Sequence, residues 1–154
     1  MRVETILNAI EKFKCFVYEK AKLIGEKESL SIEVMVRPRK NSRAICSGCC
    51  KPCPCYDRLK ERRFEFVPLW GIPVFLCYRM RRVSCNDCGI KVEQVPWSDG
   101  KSIVTKSCMQ FLAGWAKKLS WQETARSFKT SWHQVYRSVK YVVDWGLKNQ
   151  DLSG

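Results

Sequence analysis

Apolar residues Ile6, Leu7, Ile10 and Phe13 recur at helical spacing and predict a short amphipathic helix near the start of the chain. Ile32, Val34 and Val36 then alternate with Ser31, Glu33 and Met35, the period-two pattern of a half-buried strand. Residues 62–67 and 74–83 are rich in aromatic and β-branched side chains and predict two more strands, joined by a turn at Pro68-Leu69-Trp70-Gly71. After Pro96 the pattern changes to helix. Cys108, Phe111, Leu112, Trp115 and Leu119 make one stripe over residues 105–119. Ser120-Trp121-Gln122-Glu123 fits a capping box, and Ser131-Trp132-His133-Gln134 repeats the arrangement, so helices are expected over about 121–128 and 132–147 with a tight turn at Lys129-Thr130. Trp132, Val135, Val139, Val142 and Val143 are the expected buried stripe of the last helix, and the tryptophans at 115, 121, 132 and 145 are expected in the core.

This order implies an α+β fold: a β-rich unit over residues 1–97, then a three-helix unit over 98–154, divided at the small, polar run Ser98-Asp99-Gly100-Lys101-Ser102. The chain of 154 residues is 45% hydrophobic and 12% aromatic, which supports a packed core and excludes a disordered basic tail. It is too short for most multidomain enzymes. Charged residues recur throughout the first 22 positions, leaving no apolar block for a signal peptide or membrane span. The expected setting is therefore the cytosol, where ten cysteines point to metal rather than to disulfides.

The cysteine spacing is specific. Cys46-Ser47-Gly48-Cys49 and Cys85-Asn86-Asp87-Cys88-Gly89 are two Cys-x-x-Cys knuckles, each able to aim two thiolates at one ion while backbone amides point at the sulfurs. Together Cys46, Cys49, Cys85 and Cys88 predict a tetrahedral Cys₄ zinc ribbon, with Gly48 and Gly89 giving the turns their freedom. Four thiolates leave no open position, so the Zn²⁺ would be structural. Cys50 could replace Cys49, and Cys50 with Cys53 forms a third such pair; Cys50, Cys53 and Cys55 are otherwise read as bystanders. Cys15, Cys77 and Cys108 read as small apolar core residues.

The net charge of +13 is not spread evenly. The first 33 residues are neutral, whereas residues 34–82 carry twelve basic against three acidic side chains and residues 105–148 carry eight against two. A solvated face is the ordinary reading of one charge run, but two basic zones on two recognisable modules favour phosphate. The expected partner is double-stranded DNA. The spacing of the last two helices is that of a helix-turn-helix, with His133, Gln134, Arg137 and Lys140 outward for a major groove and Thr130 and Ser131 at the helix N-terminus for a phosphate. A plain three-helix bundle would share the pattern; the net charge and the paired caps favour DNA. Arg37, Arg39, Lys40, Arg43, Arg58, Arg62, Arg63, Arg79, Arg81 and Arg82 would supply backbone contacts from the ribbon. Lys129 occupies the turn position where glycine is usual, at a cost of about 1 kcal/mol if its backbone is left-handed.

The run from a basic strand through CSGC, YDRLKERRFEFVPLWGIPVFLCYRMRRVSCNDCG, VPW and AGWAKKLSWQETARSFKTSWHQVYRSV resembles the N-terminal part of bacterial ISL-three-type insertion-sequence transposases. The resemblance implies zinc ligands at Cys46, Cys49, Cys85 and Cys88 and a DNA-reading motif over residues 120–143 that recognises terminal inverted repeats. In that family an RNase H-like catalytic domain with acidic metal ligands follows. Here only Glu123, Asp144 and Asp151 come after Asp99, so no acidic triad is expected and this chain alone should not cleave or join strands. Related readings are a truncated transposase acting as a repressor, one half of a split enzyme with a separate catalytic subunit, or a zinc-ribbon interaction module that forms homodimers. No membrane partner is expected, and a bacterial, nucleoid-associated location follows from the resemblance.

Overall fold

The computed structural model describes residues 2–150 as a mixed α+β fold with four helices and a β-rich sheet. Helix α1 (Val3–Ile10) leads into strands β1 (Phe16–Ile24) and β2 (Ser31–Pro38), which pair antiparallel. Two short strands, β3 (Ala44–Ile45) and β4 (Pro52–Cys53), pair with each other outside the main sheet. A long hairpin, β5 (Cys55–Leu69) and β6 (Ile72–Cys85), is followed by β7 (Gly89–Val92). The sheet order is β1-β2-β6-β5, with β2 parallel to β6 and β7 antiparallel to the far end of β6. Helices α2 (Lys106–Ala116), α3 (Trp121–Ser127) and α4 (Trp132–Lys148) complete the chain. Among the described residues no helix is long and apolar enough to cross a membrane.

Strand β2 keeps the expected alternation, burying Ile32, Val34 and Val36. The β5–β6 hairpin is much longer than its apolar runs suggest, because the strands continue through the charged stretch 55–63. It closes on Trp70 and Gly71, both with positive φ (51° and 74°), the geometry of a tight two-residue turn whose twist matches that of the flanking strands. The main core gathers on Trp97, which sits edge-on to Phe16, Phe64 and Tyr78 at ring distances of 4.9, 5.8 and 5.2 Å.

Strand β1 lies in a stretch read above for its charges alone. It is an edge strand, exposed beyond Tyr18 except at half-buried Ala21, and a bulge between Tyr18 and Lys20 breaks its alternation. Asn8 covers that break from α1: its amide donates to the Tyr18 carbonyl at 3.0 Å, and its carbonyl accepts from the Tyr18 N–H at 3.2 Å. Phe13 lies past the end of α1, in the loop that packs against the core.

The helices meet the sheet through β5. The Thr105 N–H and hydroxyl both donate to the Glu65 carbonyl at 2.9 Å, and the Thr105 hydroxyl also accepts from the Cys108 N–H, capping α2. Between α3 and α4 the Thr130 N–H donates to Ala125 and the Lys129 N–H to Arg126, which closes α3 in a Schellman motif. Lys129 adopts φ = 53° there, the left-handed backbone that carries the Cβ penalty.

Candidate metal centre and nucleic-acid interface

The first knuckle follows β3 and the second is the turn between β6 and β7, so the hairpin's far end carries one pair of cysteines to the other. The Sγ atoms of Cys46, Cys49, Cys85 and Cys88 all lie within 4.8 Å of one another, and those of Cys49 and Cys85 are 3.5 Å apart. A tetrahedral zinc with Zn–S bonds of about 2.3 Å sets its sulfurs about 3.8 Å apart, so the four residues fit one metal ion.

Local geometry favours thiolate at one cysteine of each knuckle, Cys46 and Cys85, while the neighbouring sulfurs and burial hold Cys49 and Cys88 above the ordinary thiol pKa. Backbone N–H groups of Cys49 and Gly48 hold the Cys46 thiol below its ordinary pKa, and those of Cys88 and Asp87 draw Cys85 down to about 6. The Gly48 N–H lies 3.4 Å from the Cys46 sulfur. Gly48 is needed for room rather than for a left-handed backbone: a Cβ there would meet the Cys88 sulfur at 2.9 Å. Gly89 does take the left-handed conformation, with φ = 75°.

The other cysteines separate cleanly. Cys50 is exposed, with a left-handed backbone and its thiol on the Gln94 side chain, and Cys55 is exposed beside Asp57. Cys53 differs from both, being buried with Ala44, Cys46, Val83 and Cys85 in a small core of its own. Burial, reinforced by Cys85, pushes its thiol up to about 11, so it packs against the four sulfurs as a neutral group. Cys77 and Cys108 are buried as expected, and Cys15 is half-buried.

The basic residues expected to contact phosphate between Arg37 and Arg82 divide into three groups. Arg81 is a correction to the expected phosphate contacts: its side chain is 6% exposed, bonded through Nε and Nη2 to Glu93 Oε2 at 3.0 and 2.9 Å. The burial pattern of β6 explains this, since inward positions run 74, 76, 78, 80 and then change phase to 81, 83, 85 where the strand reaches the cysteine cluster. Arg37, Arg63 and Arg82 pair on the surface with Glu19, Glu33 and Asp57, while Arg62 reaches the carbonyls of Lys101 and Ser102. Such exposed pairs are worth about 0–1 kcal/mol and exchange readily for a phosphate. Arg39, Lys40, Arg43, Arg58 and Arg79 are exposed and form no ion pair among the described residues.

On α4, His133, Arg137 and Lys140 are exposed and Gln134 is half-buried. The Ser131 hydroxyl is occupied as the N-cap, accepting from the Gln134 N–H at 3.2 Å, and the Thr130 hydroxyl faces Glu65 Oε2 at 3.4 Å. The inner stripe of α4 is Val135 and Ser138 with half-buried Val139 and Val142. Trp132 and Val143, expected in that stripe, are exposed, and Trp115 and Trp145 are likewise exposed rather than core. Trp132 and Val143 keep the phase of one edge of that stripe, about 20–40° round the axis from half-buried Val139, and are nonetheless left exposed.

Two features were missed in the sequence. Glu93 looks like one more surface carboxylate yet has a fully buried side chain, and Trp97 is the hub of the core. No family model matches the chain, and neither the curated proteins nor the solved structures contain a match.

Proposed function

We propose that this chain is a zinc-stabilised, double-stranded-DNA-binding protein in which a ribbon and a helix-turn-helix grip one duplex. The observation that carries the reading is the exposed trio His133, Arg137 and Lys140 on α4, on a module that follows a basic hairpin whose metal end is built by four clustered cysteines. Arginine and histidine on an outward helix face can reach base edges, while Arg39, Lys40, Arg43, Arg58 and Arg79 supply phosphate contacts that fix register. Half-buried Gln134 joins them at the base edges once its amide turns outward.

Zinc would be held by Cys46, Cys49, Cys85 and Cys88, and its part is structural, since four thiolates complete its coordination. The cysteines pin β3 and the first knuckle to the β6–β7 turn, and Arg43 stands directly before that pinned segment. The resemblance to ISL-three-type transposases makes the target the terminal inverted repeats of an insertion element, with catalysis supplied by residues outside this chain.

The test is selection from random duplexes by the zinc-loaded protein. Enrichment of a short consensus is expected, with recovery falling steeply as salt rises. Duplexes recovered without sequence preference, at a level insensitive to salt, would overturn the reading.

A further inference from the structure

Trp121, Trp132 and Tyr136 form a surface cluster that the groove-reading residues leave unexplained. The ring centroids of Trp132 and Tyr136 are 5.7 Å apart with planes only 4° from parallel, and Trp121 leans on both at 5.5 and 5.7 Å. His133 stands edge-on to Trp132 at 5.7 Å. After this mutual packing Trp132 is still 44% exposed and Tyr136 40%. A single exposed ring is ordinary, but three touching rings at the N-terminal ends of two helices are a patch. The core does not require them, because α4 buries Val135 and Ser138 against the other helices.

We propose that Trp121, Trp132 and Tyr136 are a stacking platform for unpaired DNA bases, so that the helical module holds a junction between duplex and single strand more tightly than a flush duplex. This rests on the DNA-binding reading above. Charge selects a nucleic acid over an apolar protein partner: Lys140 lies one helical turn beyond Tyr136, Arg137 is its neighbour, and of the acidic side chains on this side Glu123 is engaged in the α3 capping box while half-buried Glu65 faces the Thr130 hydroxyl. Flat rings beside a cationic track are what single-strand recognition requires, and every base offers a face to stack.

The experiment compares three oligonucleotides of common duplex sequence: one flush, one with a thymidine tail, and one with an abasic tail of equal length and phosphate number. Wild-type protein should bind the thymidine tail at least about fivefold tighter than the abasic tail, the lower end of what one stacked base contributes. Trp132→Leu and Tyr136→Leu keep an apolar side chain without a ring; each should equalise the two tails while leaving flush-duplex affinity unchanged. Trp132→Phe should restore part of the difference, and it serves if a leucine variant fails to fold by circular dichroism. Equal binding of both tails by wild type, or a thymidine preference that survives in the leucine variants, overturns the platform alone. Failure of wild type to bind even the flush duplex overturns the DNA-binding reading with it.

Discussion

The buried pair between Arg81 and Glu93 separates a structural arginine from a DNA contact. Glu93 is the acceptor for four donors: Oε1 takes the Arg81 N–H at 2.8 Å and the Tyr78 hydroxyl, and Oε2 takes Arg81 Nε and Nη2. Its side chain is fully buried, so replacing Arg81 by alanine leaves a carboxylate without its cation in a low-dielectric site. Breaking such a pair from one side costs about 3–5 kcal/mol, a large part of the 5–15 kcal/mol that stabilises an ordinary domain. Glu93→Gln should cost a comparable amount. The combination Arg81→Met, Glu93→Leu and Tyr78→Phe removes the charges and the hydroxyl together, and should recover most of the loss because, of Glu93's four donors, only the Arg81 backbone N–H is left without its partner. Urea unfolding of the metal-loaded protein, followed by circular dichroism, measures all three. A loss under about 1 kcal/mol in both single variants would refute the argument. So would an Arg81→Ala protein of normal stability that binds duplex weakly.

Other consequences follow from the same geometry. Metal analysis should find one zinc per chain, lost in Cys49→Ser and Cys88→Ser but kept in Cys50→Ser and Cys55→Ser; retention in the first two would remove the site. Lys129→Gly should raise the urea midpoint by the equivalent of about 0.5–1 kcal/mol, since glycine adopts φ = 53° without the Cβ penalty; an unchanged or lower midpoint counts against strain in the turn. Burial holds the Glu65 carboxyl above its ordinary pKa, with the Thr130 hydroxyl partly offsetting it. A raised acid opposes folding above the unfolded-state value, because the native state binds the extra proton, so Glu65→Gln should be more stable than wild type at neutral pH. That advantage should shrink as pH falls through the carboxylate range, and identical midpoints at neutral pH would contradict it.

How much of this was legible in the sequence depended on whether one local rule governed the segment. The two knuckles need only spacing, and the α3 and α4 starts need only Ser120 and Ser131: the first capping box forms whole, and at the second the Ser131 hydroxyl caps the Gln134 N–H. The four sulfurs meet because β5 and β6 carry the second knuckle back, a path already marked by the aromatic runs on either side of Trp70-Gly71. Strand β1 escaped notice because an edge strand buries little, and its bulge at Glu19 removes the remaining alternation. Arg81 was misjudged for another reason. Its position in RMRR looks like its neighbours', and nothing in that run marks the change in the burial phase of β6 or the Glu93 carboxylate that meets Arg81 there. The tryptophans show the limit of periodicity: Trp132 is in phase with the edge of the inward stripe of α4 yet stays exposed, and spacing alone does not tell which end of a stripe is covered.

The central claim is that the exposed cations of the ribbon and of α4 engage one duplex. A fluorescence anisotropy titration of zinc-loaded protein against labelled duplex over a series of salt concentrations tests it most directly. The account predicts that log K falls linearly with log salt, with a slope of about −0.9 for each phosphate neutralised, and that Arg58→Ala and Arg137→Ala each make it shallower by about one contact. A slope that neither variant changes, or no binding at the lowest salt, would contradict it.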